Sequence, residues 1–274
     1  AVFQIEVQKF TDINTSWSTK SFLNTYSSPV VMVTAEPNSS WTVNDPPFGV
    51  NFRNAGATST ELRITLPDRQ YGTSTMPSTS TVYMMVIEEG YWGPSNSDLG
   101  FKMEAQKFNS NGVNSDTYGA IGSNTVSRSL DSNWGTTRHN YFSNAALDNE
   151  DAWIETGMWI GTSPGNSPRP TDTSGINVGL SSAECTPQDD HATETIHFVV
   201  IQEGTYSFDS QIFKAFRTGD TIEEYTHGNG ENHGFGTAPS WGIADLVGMD
   251  ETDGGWTNWE EGPFTSNQVE PYIQ

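Results

Sequence analysis

The chain has 274 residues and a mass of 30.1 kDa, enough for one large β-domain or two to three smaller ones, each able to bury a core. Its 12 Lys and Arg against 34 Asp and Glu give a formal charge of −22, which excludes DNA, RNA and anionic membrane as partners by simple repulsion. Charged residues are only 17% of the chain while Trp, Tyr and Phe number 9, 9 and 14, so the polar surface falls to Ser, Thr, Asn and Gly, a mix that suits strands and turns.

The chain opens Ala1-Val2-Phe3, without Met and without a basic-then-apolar leader, as a secreted protein does after signal cleavage; the expected location is extracellular. The segment Val2 to Phe10 then alternates, with Phe3, Ile5 and Val7 on one face and Gln4, Glu6 and Gln8 on the other, the pattern of a strand with one face to bury. Further strands are predicted at Pro29 to Thr34, Gly49 to Arg53, Thr60 to Leu66, Thr81 to Glu88, Gly100 to Phe108, Ala152 to Ile160, Gly175 to Ser181, Thr195 to Gln202 and Gln211 to Phe216. Between them lie turn signals such as Asn54-Ala55-Gly56, Glu89-Gly90, Pro164-Gly165-Asn166, Gly219-Asp220 and Asp253-Gly254-Gly255. No segment holds a helical period, and no apolar run reaches the roughly eighteen residues of a membrane-spanning helix, so the chain reads as all-β without membrane insertion.

An internal repeat organises these strands. Thr81-Val82-Tyr83-Met84-Met85-Val86-Ile87-Glu88-Glu89-Gly90 returns without a gap as Thr195-Ile196-His197-Phe198-Val199-Val200-Ile201-Gln202-Glu203-Gly204. Each copy is preceded by an alternating strand, Leu62-x-Ile64-x-Leu66 or Ile176-x-Val178-x-Leu180, so the unit has the size and pattern of an immunoglobulin-like β-sandwich. A third copy is traced in the tail, where Pro239-Ser240-Trp241-Gly242-Ile243 pairs with Pro29 to Val33, and Thr265 to Ile273 pairs with Thr58 to Leu66. The expected division is an N-terminal strand over 1–12, sandwich units over 13–110 and 111–217, and an incomplete unit over 218–274, which lacks a copy of the Thr81 to Gly90 strand.

A sandwich short of an inner strand exposes unpaired backbone groups beside an apolar groove, and both cost free energy until a strand fills them. The N-terminal strand, with Val2, Phe3, Ile5 and Val7 as anchors, is the expected donor, and Trp241, Ile243, Val269 and Ile273 the expected lining of the acceptor groove. Donor and acceptor are different surfaces, so copies of the chain would join head to tail and the expected partner is the protein itself. The same local pattern also fits a first strand that stays in its own sandwich.

Catalytic chemistry is not evident, and the chain reads as a non-enzyme. Of the histidines, His197 stands in a strand where the first copy has Tyr83, a packing position, while His227 and His233 flank a glycine-rich loop; His139 and His191 complete the set. Acidic runs at Asp148-Asn149-Glu150-Asp151, Asp189-Asp190 and Asp250-Glu251-Thr252-Asp253 lack the register of an EF-hand loop, so no cofactor is called for, although oxygen-rich loops of this kind can hold calcium. Among 34 acids no carboxylate pair for glycoside hydrolysis stands out. Trp92, Trp134, Trp159, Trp241, Trp256 and Trp259 are candidates for stacking on sugars, which makes glycans the second class of partner. Asn14 and Asn38 open glycosylation triplets, and the lone Cys185, unable to form an internal disulfide, reads as a buried thiol.

Phe22, Pro29-Val30-Val31, Asp45-Pro46 with Val50-x-Phe52-Arg53-Asn54, a Thr-Ser-Thr run into Leu62, and the closing Thr81 to Gly90 strand together resemble the H-type-lectin-like repeats of secreted bacterial proteins. His191-Ala192-Thr193-Glu194-Thr195 in the second copy and Asp253-Gly254-Gly255-Trp256 in the third are similar to the same family. That resemblance implies small β-sandwiches in cell-surface or sugar-facing roles, although no residue matches a lectin's sugar-contacting position. A spare first strand beside an incomplete last domain also resembles, in architecture, pilus subunits that assemble by donor-strand exchange. Two functions are therefore expected in order: a subunit of an extracellular fibre or pilus that polymerises by inserting its N-terminal strand into another subunit, and a monomeric secreted carbohydrate-binding module or adhesin. Dissolved cations would screen the repulsion between such acidic neighbours.

Overall fold

Runs rich in Val, Ile, Met and aromatic residues, cut by Gly, Asn and Pro, fold into strands because β-branched and aromatic side chains pack well on a pleated surface. A computed structural model of the protein describes residues 2–37, 48–65, 79–111, 125–149, 154–160, 168–182, 192–208, 211–218, 231–232, 234–245, 257–265 and 268–273. In chain order the strands are β1 (Ile5–Ile13), β2 (Ser18–Ser21), β3 (Pro29–Glu36), β4 (Gly49–Arg53), β5 (Ser59–Thr65), β6 (Ser80–Glu88), β7 (Gly90–Trp92), β8 (Met103–Asn109), β9 (Val126–Ser129), β10 (His139–Ala146), β11 (Ile154–Ile160), β12 (Ser174–Ser182), β13 (Thr195–Gln202), β14 (Gly204–Phe208), β15 (Gln211–Ala215), β16 (Glu231–Asn232), β17 (Thr257–Phe264) and β18 (Gln268–Ile273). Each strand read from the sequence is present, β4 and β13 with the same bounds.

The protein is all-β and has several sheets, one of them a curled half-barrel. The sheet orders are β1-β6-β3, β2-β5-β4-β10-β13-β8-β7, β11-β12-β9, β14-β15 and β16-β18-β17. Among the described residues pairing is antiparallel except where Ala146 of β10 meets Phe52 of β4 in parallel, the seam that joins two halves of the seven-stranded sheet. Two orders recur: β1-β6-β3 matches β8-β13-β10, and β2-β5-β4 matches β9-β12-β11 and β16-β18-β17.

β3 is buried at every position, and β6 at all but one, because each serves two cores at once. Val31, Val33, Ala35, Val82, Met84 and Val86 point into a core closed by Phe48, Val50, Phe52, Leu62 and Ile64 of the opposing sheet. Alternate residues Val30, Met32, Met85 and Ile87 point the other way, against Met103, Ala105, Val199 and Ile201. β13 repeats the arrangement, since Ile196, Phe198 and Val200 face a third core with Trp134, Tyr141, Met158, Ile176, Val178 and Leu180. Strands buried on both faces read as continuous apolar runs, and this is what makes Val82 to Ile87 and Ile196 to Ile201 so conspicuous in the sequence.

Pairing within the chain places β1 in a sheet of its own molecule. Ile5 stands opposite Ile87, Val7 opposite Met85 and Lys9 opposite Tyr83, and the Glu88 amide donates to the Gln4 carbonyl at 3.0 Å. The boundary expected between residues 12 and 13 therefore falls inside a strand, β1. The boundary expected after residue 110 separates β8 from β13, although the two are paired from Met103↔Ile201 to Asn109↔Thr195.

Candidate functional site

β1 alternates as its sequence demands, but burial follows hydrogen bonding as well as apolarity. Phe3 and Ile5 pack against the central core, with the Phe3 ring edge-on to Trp92 at 5.6 Å between centroids. Val7 on the same face is 43% exposed, and Val2 is 77% exposed. On the supposedly polar face Glu6 is buried. Its carboxylate accepts hydrogen bonds from Leu23 N (2.9 Å), Asn24 N (2.8 Å), Asn24 Nδ2 (3.2 Å), Tyr26 Oη (3.2 Å) and Gln8 Nε2 (2.7 Å). A carboxylate so surrounded replaces its hydration shell with fixed donors, so it can be buried where Val7, at the sheet edge, is not. Burial, reinforced by Glu6, holds the Tyr26 hydroxyl in its protonated form by raising its pKa.

The same cluster is built a second time at β8. Glu104 accepts from Asp131 N (2.9 Å), Trp134 Nε1 (2.6 Å) and Gln106 Nε2 (2.6 Å), and Gln106 also donates to Ser129 O as Gln8 donates to Ser21 O. Burial pushes the Glu104 pKa up, and these donors oppose the shift. Lys20 lies over the Phe10 ring at 5.1 Å, and Arg128 lies over the Phe108 ring at 4.4 Å. The underlying sequences, Ile5-Glu6-Val7-Gln8-Lys9-Phe10 and Met103-Glu104-Ala105-Gln106-Lys107-Phe108, show the likeness that sequence reading missed. Its signal was the shared Glu-x-Gln-Lys-Phe, available to any comparison of the first predicted strand with the one at Gly100 to Phe108.

β7 and β14 are a further matched pair, each following one copy of the long repeat. Gly90 and Gly204 have φ of 143° and 153°, a region that disfavours side chains, and the aromatic residue two places on folds back over each glycine. Trp92 Nε1 then donates to Glu88 O at 3.0 Å, and Tyr206 Oη to Glu203 O at 2.7 Å. β7 lies on the outer edge of β8, with Gly90 opposite Ala105, Tyr91 opposite Glu104 and Trp92 opposite Met103. β14 holds β15 in the corresponding register, Gly204 opposite Ala215 and Tyr206 opposite Phe213.

Trp241, Ile243 and Val269, three of the four residues expected to line an acceptor groove, pack together against the first sheet. Trp241 and Ile243 pack beside the core of β3 and β6, and Trp241 Nε1 donates to Met84 O at 3.2 Å. Val269 is buried with Tyr83 and Trp259. Ile273 stands opposite Thr257 in the β17–β18 ladder. Thr34 Oγ1 and the Ala244 backbone exchange hydrogen bonds at 3.1 Å, which fixes this segment on β3. The Tyr83 hydroxyl donates to Glu36, whose carboxylate is 3.8 Å from Lys9 Nζ; burial first, then Glu36, raises the Tyr83 pKa.

Polar side chains from one set of strands cap the free edge of another. Val31 N donates to His197 Nδ1 at 2.7 Å and Val33 N to Asn144 Oδ1 at 2.8 Å, while Ser143 N of β10 donates to Asp245. His197 is thus a buried acceptor whose pKa burial lowers to about 3. His139 is buried too, with Nδ1 at 2.7 Å from Thr137 O and Nε2 at 2.8 Å from Tyr141 Oη, and burial lowers its pKa. His191, His227 and His233 lie outside the described residues.

Of the tryptophans singled out for sugar stacking, Trp92, Trp134, Trp159 and Trp259 are buried, Trp241 is half-buried, and Trp256 lies outside the described residues. The ring of half-buried Trp17 is taken up by the Arg53 and Arg63 guanidinium groups, 4.3 and 4.4 Å from its centroid. Asn14 is exposed and its Oδ1 accepts from Ser16 N at 2.8 Å, a local turn; Asn38 and Cys185 lie outside the described residues. Of the acidic runs only Asp148 and Asn149 are described: Asp148 accepts from Asn54 N at 2.7 Å, and both amides donate to the buried Glu194. Among the described residues no group of three His, Cys, Asp or Glu side chains is placed to hold a metal ion, and no helix is long and apolar enough to cross a membrane. No protein-family model, no curated protein and no solved structure matches this chain.

Proposed function

We propose that the protein is a structural subunit of an extracellular fibre or pilus, built from tandem immunoglobulin-like β-sandwich units of the H-type-lectin-like kind. In this reading β1 to β6 form the first unit, β8 to β13 the second, and β15 to β18 belong to a third. Copies join head to tail through the N-terminal strand, which stays paired with β6 of its own chain and offers its other edge to the next subunit. The observation that carries the reading is the recurrence of one contact between successive units. Val33 N of β3 is capped by Asn144 from the second unit, and Ser143 N of β10, the matching strand of that unit, is capped by Asp245 from the third. A contact between non-identical faces is heterologous, and when made between chains it propagates into a ring or an open filament.

Negative-stain electron microscopy with size-exclusion chromatography, across protein concentration and divalent-cation concentration, tests this. Filaments or a ladder of oligomers are expected. A uniform 30.1 kDa species under every condition would overturn it. The carbohydrate-binding alternative needs an exposed aromatic face, and the burial of Trp92, Trp134, Trp159 and Trp259 ranks it second.

A further inference from the structure

The two matching sheets differ by one strand. β8 is flanked by β13 on one edge and β7 on the other, in the order β10-β13-β8-β7; among the described residues β1 is flanked by β6 alone, in the order β3-β6-β1. The Glu88 N to Gln4 O bond fixes the phase of the ladder, and alternation then turns the backbone N–H and C=O of Ile5, Val7 and Lys9 to the open edge. Beside that edge Val7 is 43% exposed, whereas its counterpart Ala105, covered by β7, is fully buried. Long edges with apolar side chains are templates for strand addition.

Resting on the fibre reading above, we infer that the open edge of β1 is the docking site for β14, Gly204–Phe208, of a second copy of this chain. The chain itself shows what sits on this kind of edge: a strand that follows the long repeat, with glycine opposite the small or β-branched residue of the first strand. β7 is one such strand and β14 is the other. Carrying over the β7–β8 register places Gly204 opposite Val7, Thr205 opposite Glu6 and Tyr206 opposite Ile5. β15 is the rival occupant, since its Ala215 and Phe213 stand opposite the same Gly204 and Tyr206. Among the described residues β15 pairs with β14 alone, and Tyr206 and Phe213 stack on Phe101 at 4.3 and 5.6 Å; β1 of a neighbour takes the place of β15 by presenting Ile5 and Val7 where Phe213 and Ala215 stand. The junction sheet then reads β3-β6-β1-β14, the order already realised in the second unit. β14 of each copy receives β1 of the next, which makes the contact propagate.

The test uses the full chain with a photo-crosslinking amino acid at position 7, mixed with isotopically heavy protein and irradiated during assembly. Mass spectrometry is expected to find the light position-7 residue joined to the heavy 203–208 segment. Val7→Pro removes an outward N–H while leaving the bonds to β6, and is expected to raise the concentration needed for assembly by about tenfold or more with an unchanged melting temperature. Crosslinks to any other segment in a sample that does form filaments would overturn the docking site and leave the fibre reading standing. A chain that stays monomeric and gives no interchain crosslink would overturn both.

Discussion

Val31 N donates to His197 Nδ1 across 2.7 Å, so a backbone group on the edge of β3 is satisfied by an imidazole from β13. The acceptor nitrogen must be unprotonated for this bond, and burial lowers the His197 pKa to about 3. Above about pH 6.5 the imidazole is neutral in both the folded and unfolded chain. Between about 6.5 and 3 only the unfolded chain takes the proton, so stability is present above that window and is lost as pH falls through it. His139, also lowered by burial, adds to the effect. Unfolding free energy is expected to fall from pH 7 toward pH 5, by up to about 1.4 kcal/mol per pH unit for each such histidine. Chemical denaturation measured at pH 7, 6 and 5 checks this, and His197→Gln is expected to flatten the dependence.

The paired carboxylates make a second expectation. Glu6→Ala strands the amides of Leu23 and Asn24 and leaves the Tyr26 hydroxyl only its longer bond to Val86 O, and Glu104→Ala strands Asp131 N and Trp134 Nε1. Each substitution is expected to cost about 2–4 kcal/mol, because charged hydrogen bonds are lost and buried donors are left without partners. Glu→Gln at either position keeps part of the acceptor set and is expected to cost less. The two clusters share no partner, so the double alanine variant is expected to lose the sum of the two within about 0.5 kcal/mol. Urea midpoints for the four single variants and the double one decide it.

The fold class was legible because strands buried on both faces, such as β6 and β13, produce short apolar runs, rich in β-branched and aromatic residues and bounded by turn signals. Among the strands that went unread, β10, β2 and β9 are polar, and β10 is so for a structural reason. β10, His139-Asn140-Tyr141-Phe142-Ser143-Asn144-Ala145-Ala146, has no β-branched residue, yet its His139 and Asn144 are hydrogen-bonded and its Tyr141 is buried. β2 and β9 are four residues each and have no apolar alternation to read beyond a single valine. Burial at β1 was legible only in part. Sequence pattern assigns Glu6 to solvent, and nothing local shows that a loop from Leu23 to Tyr26 will close on its carboxylate.

Gly90 and Gly204 test whether the matched hairpins rest on backbone conformation. A Cβ at Gly90 would meet Trp92 Cζ2 at 3.2 Å, and one at Gly204 would clash with the Tyr206 hydroxyl, in each case on a backbone with positive φ. Gly90→Ala is therefore expected to destabilise by about 1–3 kcal/mol. Trp92 belongs to the central core, so the displaced indole would disturb packing there and broaden the thermal transition. Gly204→Ala acts on the two-stranded β14–β15 sheet, and faster amide exchange is expected at residues 204–208 and 211–215 with a smaller change in melting temperature.

Asn144 offers the most direct reading of how the first two units hold together. Its Oδ1 accepts from Val33 N at 2.8 Å, one of two side-chain caps on the free edge of β3, and it stands opposite His197, which supplies the other. Asn144→Ala removes one acceptor and leaves Val33 N, on a strand buried at every position, without a partner. A cost of about 1–3 kcal/mol is expected. Because Asn144 and His197 are neighbours serving the same edge, Asn144→Ala and His197→Ala are expected to couple, with the double variant departing from the sum of the single ones by about 0.5 kcal/mol or more. Additive losses would show that each cap acts on its own amide and that the β3 edge adjusts locally, whereas coupling would show that the edge is held as one surface by the second unit.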